Sequence, residues 1–226
     1  MAQCMKHDAA HGFWVRMTVL ACVAGLLYSS WPLGYILNPA VSRGGLASAL
    51  EALHQPYNWV FIAGDVTSSL LIILICWLLW RHYQAGKQQF FLGFVLINVI
   101  IFALGTIADT LLPERCLPGV ANCPNWPHNP LLLVHGVFSI LASFCLFLAL
   151  LVIWWRNRTP LLYTLMIGYT IFGLLSLYEA LSTYNGNFSQ HYYITLCGLG
   201  IAAIPYGVHR TFYGGQSELP EKKSSS

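Results

Sequence analysis

Residues 105–139 read GTIADTLLPERCLPGVANCPNWPHNPLLLVHGVFS, and the rest of the chain is organised around this stretch. An apolar helix ends near Asp109, a loop with four prolines and two cysteines follows, and a second apolar helix begins at Pro130. His135 lies just inside that second helix. The sequence therefore predicts a corner that brings Asp109 and His135 to the same end of a helical bundle.

The composition excludes an ordinary soluble protein. Of the 226 residues, 57% are hydrophobic and only 8% are charged, whereas a soluble domain has about 25% charged residues. Most of the surface must therefore face something other than water. The formal net charge of +3 is too small to indicate nucleic-acid binding, so we expect membrane lipid as the partner and no nucleic acid.

Six apolar stretches approach the ~20 residues that a helix needs to cross a hydrocarbon core. They are residues 13–36, 57–80, 89–112, 131–155, 161–184 and 190–208. Inside lipid the backbone must satisfy its own hydrogen bonds, so these stretches are predicted to be helices. The predicted fold is an all-α, polytopic bundle of six transmembrane helices in a single domain, residues 1–212. A disordered cytoplasmic tail, residues 213–226, follows it.

The distribution of Lys and Arg predicts the orientation. With the N-terminus inside, nine of these residues fall in cytoplasmic segments, and only Arg43 and Arg115 fall outside. This bias follows the positive-inside rule and places both termini in the cytoplasm. In the first outer loop, residues 37–56, Leu46–His54 is predicted to form a short interfacial helix with Ser48 as its cap.

The outer loop between the third and fourth helices contains Cys116 and Cys123. An oxidising outer compartment favours a disulfide between them. We predict a structural staple at the entry to the fourth helix, since the chain has no Cys-x-x-Cys motif and no second outer pair to pass electrons on.

Ionisable residues gather in the outer halves of five predicted helices. Each has a hydroxyl-bearing residue three or four positions away, which places the two on one helix face. Such faces are costly against lipid, so they are expected to point inward and form an outward-facing polar pocket. The candidate pocket residues are Asp65, Ser69, Asp109, His135, Ser139, Glu179 and His191.

Asp65 is the deepest of these groups, roughly 12 Å below the outer end of its helix at 1.5 Å per residue. A carboxylate at that depth needs a partner or a wet cavity. We expect Asp65, Asp109 and His135 to converge on one cavity.

Three functions are compatible with such a pocket. The first is binding of a lipid headgroup or a small molecule. The second is intramembrane, metal-dependent hydrolysis of a lipid-like substrate, in which Asp65, Asp109 and His135 would hold a divalent metal that activates water. The third is proton-coupled transport through carboxylates and histidines, although the apolar inner halves of the helices argue against a path to the cytoplasm. No His-Glu-x-x-His or Gly-x-Ser-x-Gly motif is present, so no reaction follows from the sequence.

Two blocks of the sequence resemble a bacterial membrane family catalogued as domain of unknown function 998. One runs from Leu46 through Gln55-Pro56 to Gly64-Asp65, and the other runs from Asp109 through the two-cysteine loop to His135-Gly136 and Ser139. Ser48 and Leu50 match the family's Ser-Glu-Leu element, and Ala49 stands where Glu is expected. The resemblance implies a six-helix, multi-pass protein of the bacterial inner membrane and supplies no reaction. A looser likeness connects the chain to membrane hydrolases related to alkaline ceramidases, but the last helix lacks their His-x-x-x-His pair.

Overall fold

The computed structural model describes residues 2–39, 47–52, 55–83, 89–112, 130–182 and 188–213. Within these ranges the chain is α-helical apart from short turns and 3₁₀ segments. The α-helices are α1 (Ala2–Tyr28), α2 (Gly34–Leu37), α3 (Asn58–His82), α4 (Gln89–Leu111), α5 (Pro130–Asn157), α6 (Pro160–Ser182) and α7 (Phe188–Tyr213). The loop with Cys116 and Cys123 and the tail beyond residue 213 lie outside the described residues, so the disulfide and the disordered tail stay predictions.

In the part of the chain that the structure describes, four helices are long and apolar enough to cross a membrane. They are Asn58–His82, Gln89–Leu111, Leu133–Asn157 and Pro160–Glu179. A fifth crossing results if Gly12–Tyr28 and Trp31–Leu37 form one broken span. Helix α7 is 26 residues long, but it is not among the helices that are apolar enough to cross a membrane by composition. The number of six crossings therefore stays a prediction.

The first predicted span, residues 13–36, is bent in the structure. Helix α1 ends at Tyr28, a 3₁₀ turn covers Trp31–Leu33, and the two helical parts meet at 42°. Pro32 lies in this turn and has no N–H with which to continue the helical hydrogen bonds. The continuous helix expected from hydropathy is therefore wrong at this point.

The long helices pack so that α1 lies between α3 and α7, and α4 lies between α3 and α5. Helix α7 also contacts α5 and α6. Residues without bulky side chains allow the closest crossings, as is usual between membrane helices. At the crossing of α1 and α7, a Cβ atom on Gly25 would collide with the carbonyl oxygen of Gly198. At the crossing of α4 and α5, a Cβ atom on Gly105 would lie 2.9 Å from that of Ala142.

The predicted interfacial helix Leu46–His54 is wrong in the part that the structure describes. Ala47–Leu50 forms a 3₁₀ turn that is buried in the end of the bundle, with Leu50 only 1% exposed. Ser48 lies inside this turn and does not cap an α-helix. The backbone N–H of Ala47 donates a 2.7 Å hydrogen bond to Oε1 of Gln190 in α7. Burial of small side chains against the bundle thus replaces the expected position at the membrane surface.

Candidate functional site

A cavity of about 450 Å³ lies at one end of the bundle. Its walls come from the end of α1, the buried turn at Ala47–Leu50, the start of α3, the end of α4, and the neighbouring parts of α5, α6 and α7. All these segments lie at the end of the bundle opposite the α5–α6 connection. Four predicted site residues line it: Asp65, Asp109, His135 and Ser139.

The Asp109 side chain contacts two side chains of the next helix, α5. Its Oδ2 accepts a 2.7 Å hydrogen bond from Oγ of Ser139, and its Oδ1 lies 2.9 Å from Nδ1 of His135. The same ring nitrogen is 3.3 Å from the backbone carbonyl oxygen of Asp109. The contact with the backbone oxygen has the geometry of a hydrogen bond, and the shorter contact with Oδ1 is an ion pair when the imidazole is protonated. His135 and Ser139 are four residues apart, which places both on the face of α5 that meets Asp109.

Asp65 is paired with an acidic residue that the sequence analysis did not single out. The Glu51 side chain, which directly follows the buried turn, lies beside the carboxyl group of Asp65 and near the side chain of Thr110. A hydrogen bond between two carboxyl groups requires a proton on one of them. Burial raises the pKa of Glu51 to about 7, and the negative charge of Asp109 acts in the same direction. A proton on Glu51 near neutral pH would therefore let the two neighbouring carboxyl groups share a hydrogen bond.

Glu51 had one recognisable signal in the sequence. It is the only acidic residue between Asp8 and Asp65 and stands in the otherwise uncharged run Ala47-Ser-Ala-Leu-Glu-Ala-Leu. An isolated charge among small and apolar residues indicates burial with a partner. The partner itself could not be found by helical spacing, because Glu51 lies in a turn outside the helices.

The proposed metal ligands do not form a metal site in the structure. Among the described residues, no three His, Cys, Asp or Glu side chains are grouped so that they could hold a metal ion. Asp65 is turned to Glu51, and Asp109 is turned to His135 and Ser139. Asp65 and Asp109 thus belong to two adjacent groups of polar side chains.

Three predicted pocket residues do not line the cavity. Ser69 is fully buried behind it. Glu179 accepts hydrogen bonds from the backbone N–H and the hydroxyl of Ser189, at 3.3 and 2.5 Å, and so ties the end of α6 to the start of α7. His191 is buried against the indole of Trp31, with ring centroids 4.5 Å apart. Glu179 and His191 lie at the same end of the bundle as the cavity, and their side chains contact other helical segments, whereas Ser69 lies near the middle of α3.

Apart from the acidic cluster and a few other polar groups, the lining of the cavity is mostly apolar and includes Phe147 and Leu174. Tyr169 and Tyr193 also line it. The hydroxyl of Tyr193 donates to that of Tyr169, which donates to the backbone carbonyl of Ser143, both at 2.8 Å. The cavity therefore combines an acidic cluster with a largely apolar lining.

The fold and this cavity define a multi-pass α-helical membrane protein with a buried acidic cluster at one end of its bundle. The chain belongs to the family described as protein of unknown function (DUF998), whose sequence model matches residues 20–190. The match includes Glu51, Asp65, Asp109 and His135, and it confirms the family resemblance seen in the sequence. No curated protein and no solved structure matches the chain.

Proposed function

We propose that this protein binds an amphiphile, a lipid or a lipid-like small molecule, with its polar group at the acidic end of the cavity. The observation that carries the proposal is that three carboxyl groups and an imidazole line a cavity whose remaining lining is mostly apolar. Pockets that combine a mostly apolar lining with a few convergent polar groups are typical ligand sites.

The charge of the acidic end favours a particular kind of headgroup. The cluster contains three carboxyl groups, Glu51, Asp65 and Asp109, and a single imidazole, His135. It therefore carries a net negative charge whenever more than one of the carboxyl groups is ionised. A headgroup that donates hydrogen bonds or carries a positive charge, such as a primary ammonium, suits these acceptors.

The experiment is retention of a natural ligand. We would purify the full chain from its native membrane in mild detergent and identify bound amphiphiles by native mass spectrometry. Asp109→Asn should lose the bound species, because the substitution removes a charge from the acidic end and the partner of His135. Glu179→Gln is the matched control, since Glu179 lies at the same end of the bundle but outside the cavity. Equal retention by both variants, or no bound amphiphile in the wild-type protein, would contradict the proposal.

The two alternative functions can be separated from binding by simple measurements. A metal-dependent hydrolase acting on a lipid-like substrate would contain close to one equivalent of metal after purification, which elemental analysis would detect. A proton-coupled transporter would acidify proteoliposomes in response to its substrate. The arrangement of the carboxyl groups and the imidazole supports binding. Among the described residues, no three His, Cys, Asp or Glu side chains are grouped so that they could hold a metal ion.

We also propose that α7 crosses the membrane, which gives six crossings in the cytoplasmic membrane of a bacterium with both termini inside. Helix α7 packs against α1, α5 and α6, and Cys197 and Ile201 in its middle are at most 1% exposed. A helix enclosed by other helices does not need an apolar surface all round, because protein and not lipid surrounds its polar residues. The distribution of Lys and Arg supports the orientation.

A further inference from the structure

We infer that the cavity opens sideways into the membrane through a window between α5 and α6, and that the acyl chain of a membrane phospholipid occupies this window. This inference rests on the proposed function and adds the class of ligand and its route of entry.

The window begins where α5 and α6 stop contacting each other closely. Near their short connection, the rings of Trp154 and Tyr163 lie 6.1 Å apart. Further along, the hydroxyl of Tyr169 reaches the carbonyl oxygen of Ser143 at 2.8 Å. Beyond these residues both helices continue toward the acidic end as walls of the cavity. Although α5 and α6 are consecutive, their mutual contact is far smaller than that between α4 and α5.

Three apolar side chains mark the rim of the window. Ile140 and Phe144 on α5 and Leu174 on α6 line the cavity, yet they are 56%, 55% and 62% exposed. Residues enclosed in a cavity wall would be mostly covered, so these side chains lie at an opening. Both helices are long and apolar enough to cross a membrane. The opening between them therefore faces hydrocarbon and not water.

The chemistry at the window identifies its occupant. A hydrocarbon chain can occupy an apolar opening without losing hydrogen bonds, whereas a polar molecule would have to leave its water there. A phospholipid that enters through the window would keep its acyl chain between α5 and α6. Its headgroup would then reach the side of the cavity formed by Asp109, His135 and Ser139, which lie on or beside α5.

Gly173 and Tyr193 line the cavity on the inner side of this window. A Cβ atom at Gly173 would lie 3.0 Å from Cε2 of Tyr193. The absence of a side chain at this position therefore lets α6 and the ring of Tyr193 approach closely.

The test uses the full chain reconstituted in vesicles that contain a phosphatidylethanolamine with a diazirine in one acyl chain. After illumination, mass spectrometry locates the labelled residues. Saturable labelling should concentrate on the cavity-facing residues between 140 and 147 and between 169 and 177. Ile140→Trp combined with Leu174→Trp should reduce the saturable labelling by about tenfold, because the larger side chains overpack the opening. A tenfold change corresponds to ~1.4 kcal/mol.

The matched control is Leu141→Trp combined with Leu175→Trp. These are the next residues along the same helices, they are 46% and 45% exposed, and they do not line the cavity. The control should leave saturable labelling unchanged. The inference of a window would be wrong if labelling followed exposure alone. Labelling would then be equal around Ile140 and Leu141, and neither pair of substitutions would change it.

The outcomes for the window and for the proposed function are distinguishable. If the purified protein retains an amphiphile through Asp109 but labelling follows exposure alone, the cavity binds its ligand by another route and only the window is wrong. If no amphiphile is retained and no labelling is saturable, the proposed function fails and the window fails with it.

Discussion

Nδ1 of His135 lies 2.9 Å from Oδ1 of Asp109, and this contact joins the last turn of α4 to the second turn of α5. Ser139 adds a second link to the same carboxylate through its 2.7 Å hydrogen bond. The His135 side chain is 8% exposed and that of Asp109 is 20% exposed, so the pair is largely shielded from water. The two helices that the outer loop connects are thereby also held together inside the bundle.

We predict that Asp109→Ala lowers the free energy of unfolding by about 1–3 kcal/mol, because it removes the acceptor of the Ser139 hydroxyl and the carboxylate that lies beside the shielded imidazole of His135. Reversible unfolding in mixed micelles, followed by circular dichroism, would measure the change. Asp109→Ala and His135→Ala should be coupled by roughly 0.5–3 kcal/mol in a double-mutant cycle. Additive effects within experimental error would show that the two side chains do not stabilise each other.

Glu51 makes a prediction about pH. Its folded-state pKa of about 7 lies above the ~4.3 of an unfolded glutamate, so the folded protein binds a proton that the unfolded chain releases. Stability from this group is therefore complete below about pH 4.3 and declines as the pH rises toward about 7. Glu51→Gln, which mimics the protonated form, should flatten this part of the melting-temperature profile.

The matched control for Glu51 is Glu218→Gln in the C-terminal tail, which removes one carboxylate that the sequence predicts to be solvated. It should leave the melting-temperature profile between pH 5 and pH 7 parallel to that of the wild-type protein, since such a group has the same environment in both states. A Glu51→Gln profile that is also parallel would contradict the buried, proton-sharing role of Glu51.

The crossing of α1 and α7 should not tolerate any side chain larger than hydrogen. A Cβ atom on Gly198 would collide with Oγ of Ser29 and with the backbone of Gly25. Gly198→Ala is expected to destabilise the protein by about 1–3 kcal/mol, because the backbone cannot yield as a flexible side chain would. Gly12→Ala in α1 is the control. Nothing lies within 4 Å of its Cβ position, so that substitution should be neutral or slightly stabilising in a thermal melt.

Helical spacing predicted part of the site because it depends on one helix at a time. The four-residue separation of His135 and Ser139 fixes their shared face, and the position of Asp109 at a helix end follows from the loop after it. The rotation of α6 and α7 about their own axes depends on packing with other helices, so spacing alone does not show that Glu179 contacts Ser189 or that His191 contacts Trp31. Glu51 reaches the cavity from a turn whose position is set by burial against the bundle, and no periodicity describes such a contact.

The last prediction concerns topology and decides which leaflet supplies the amphiphile. Reporter fusions at Arg81 and Asn157 should give cytoplasmic signals, and fusions at Cys123 and Asn187 should give outer signals, because nine of the eleven Lys and Arg residues then lie inside. A fusion after Tyr213 should be cytoplasmic if α7 crosses the membrane. An outer signal there would reduce the number of crossings, and an outer signal at Asn157 would reverse the orientation.

In the predicted orientation the acidic end of the cavity lies in the outer half of the bundle. The window between α5 and α6 would then receive lipid from the outer leaflet, whereas the reversed orientation would make the inner leaflet the source.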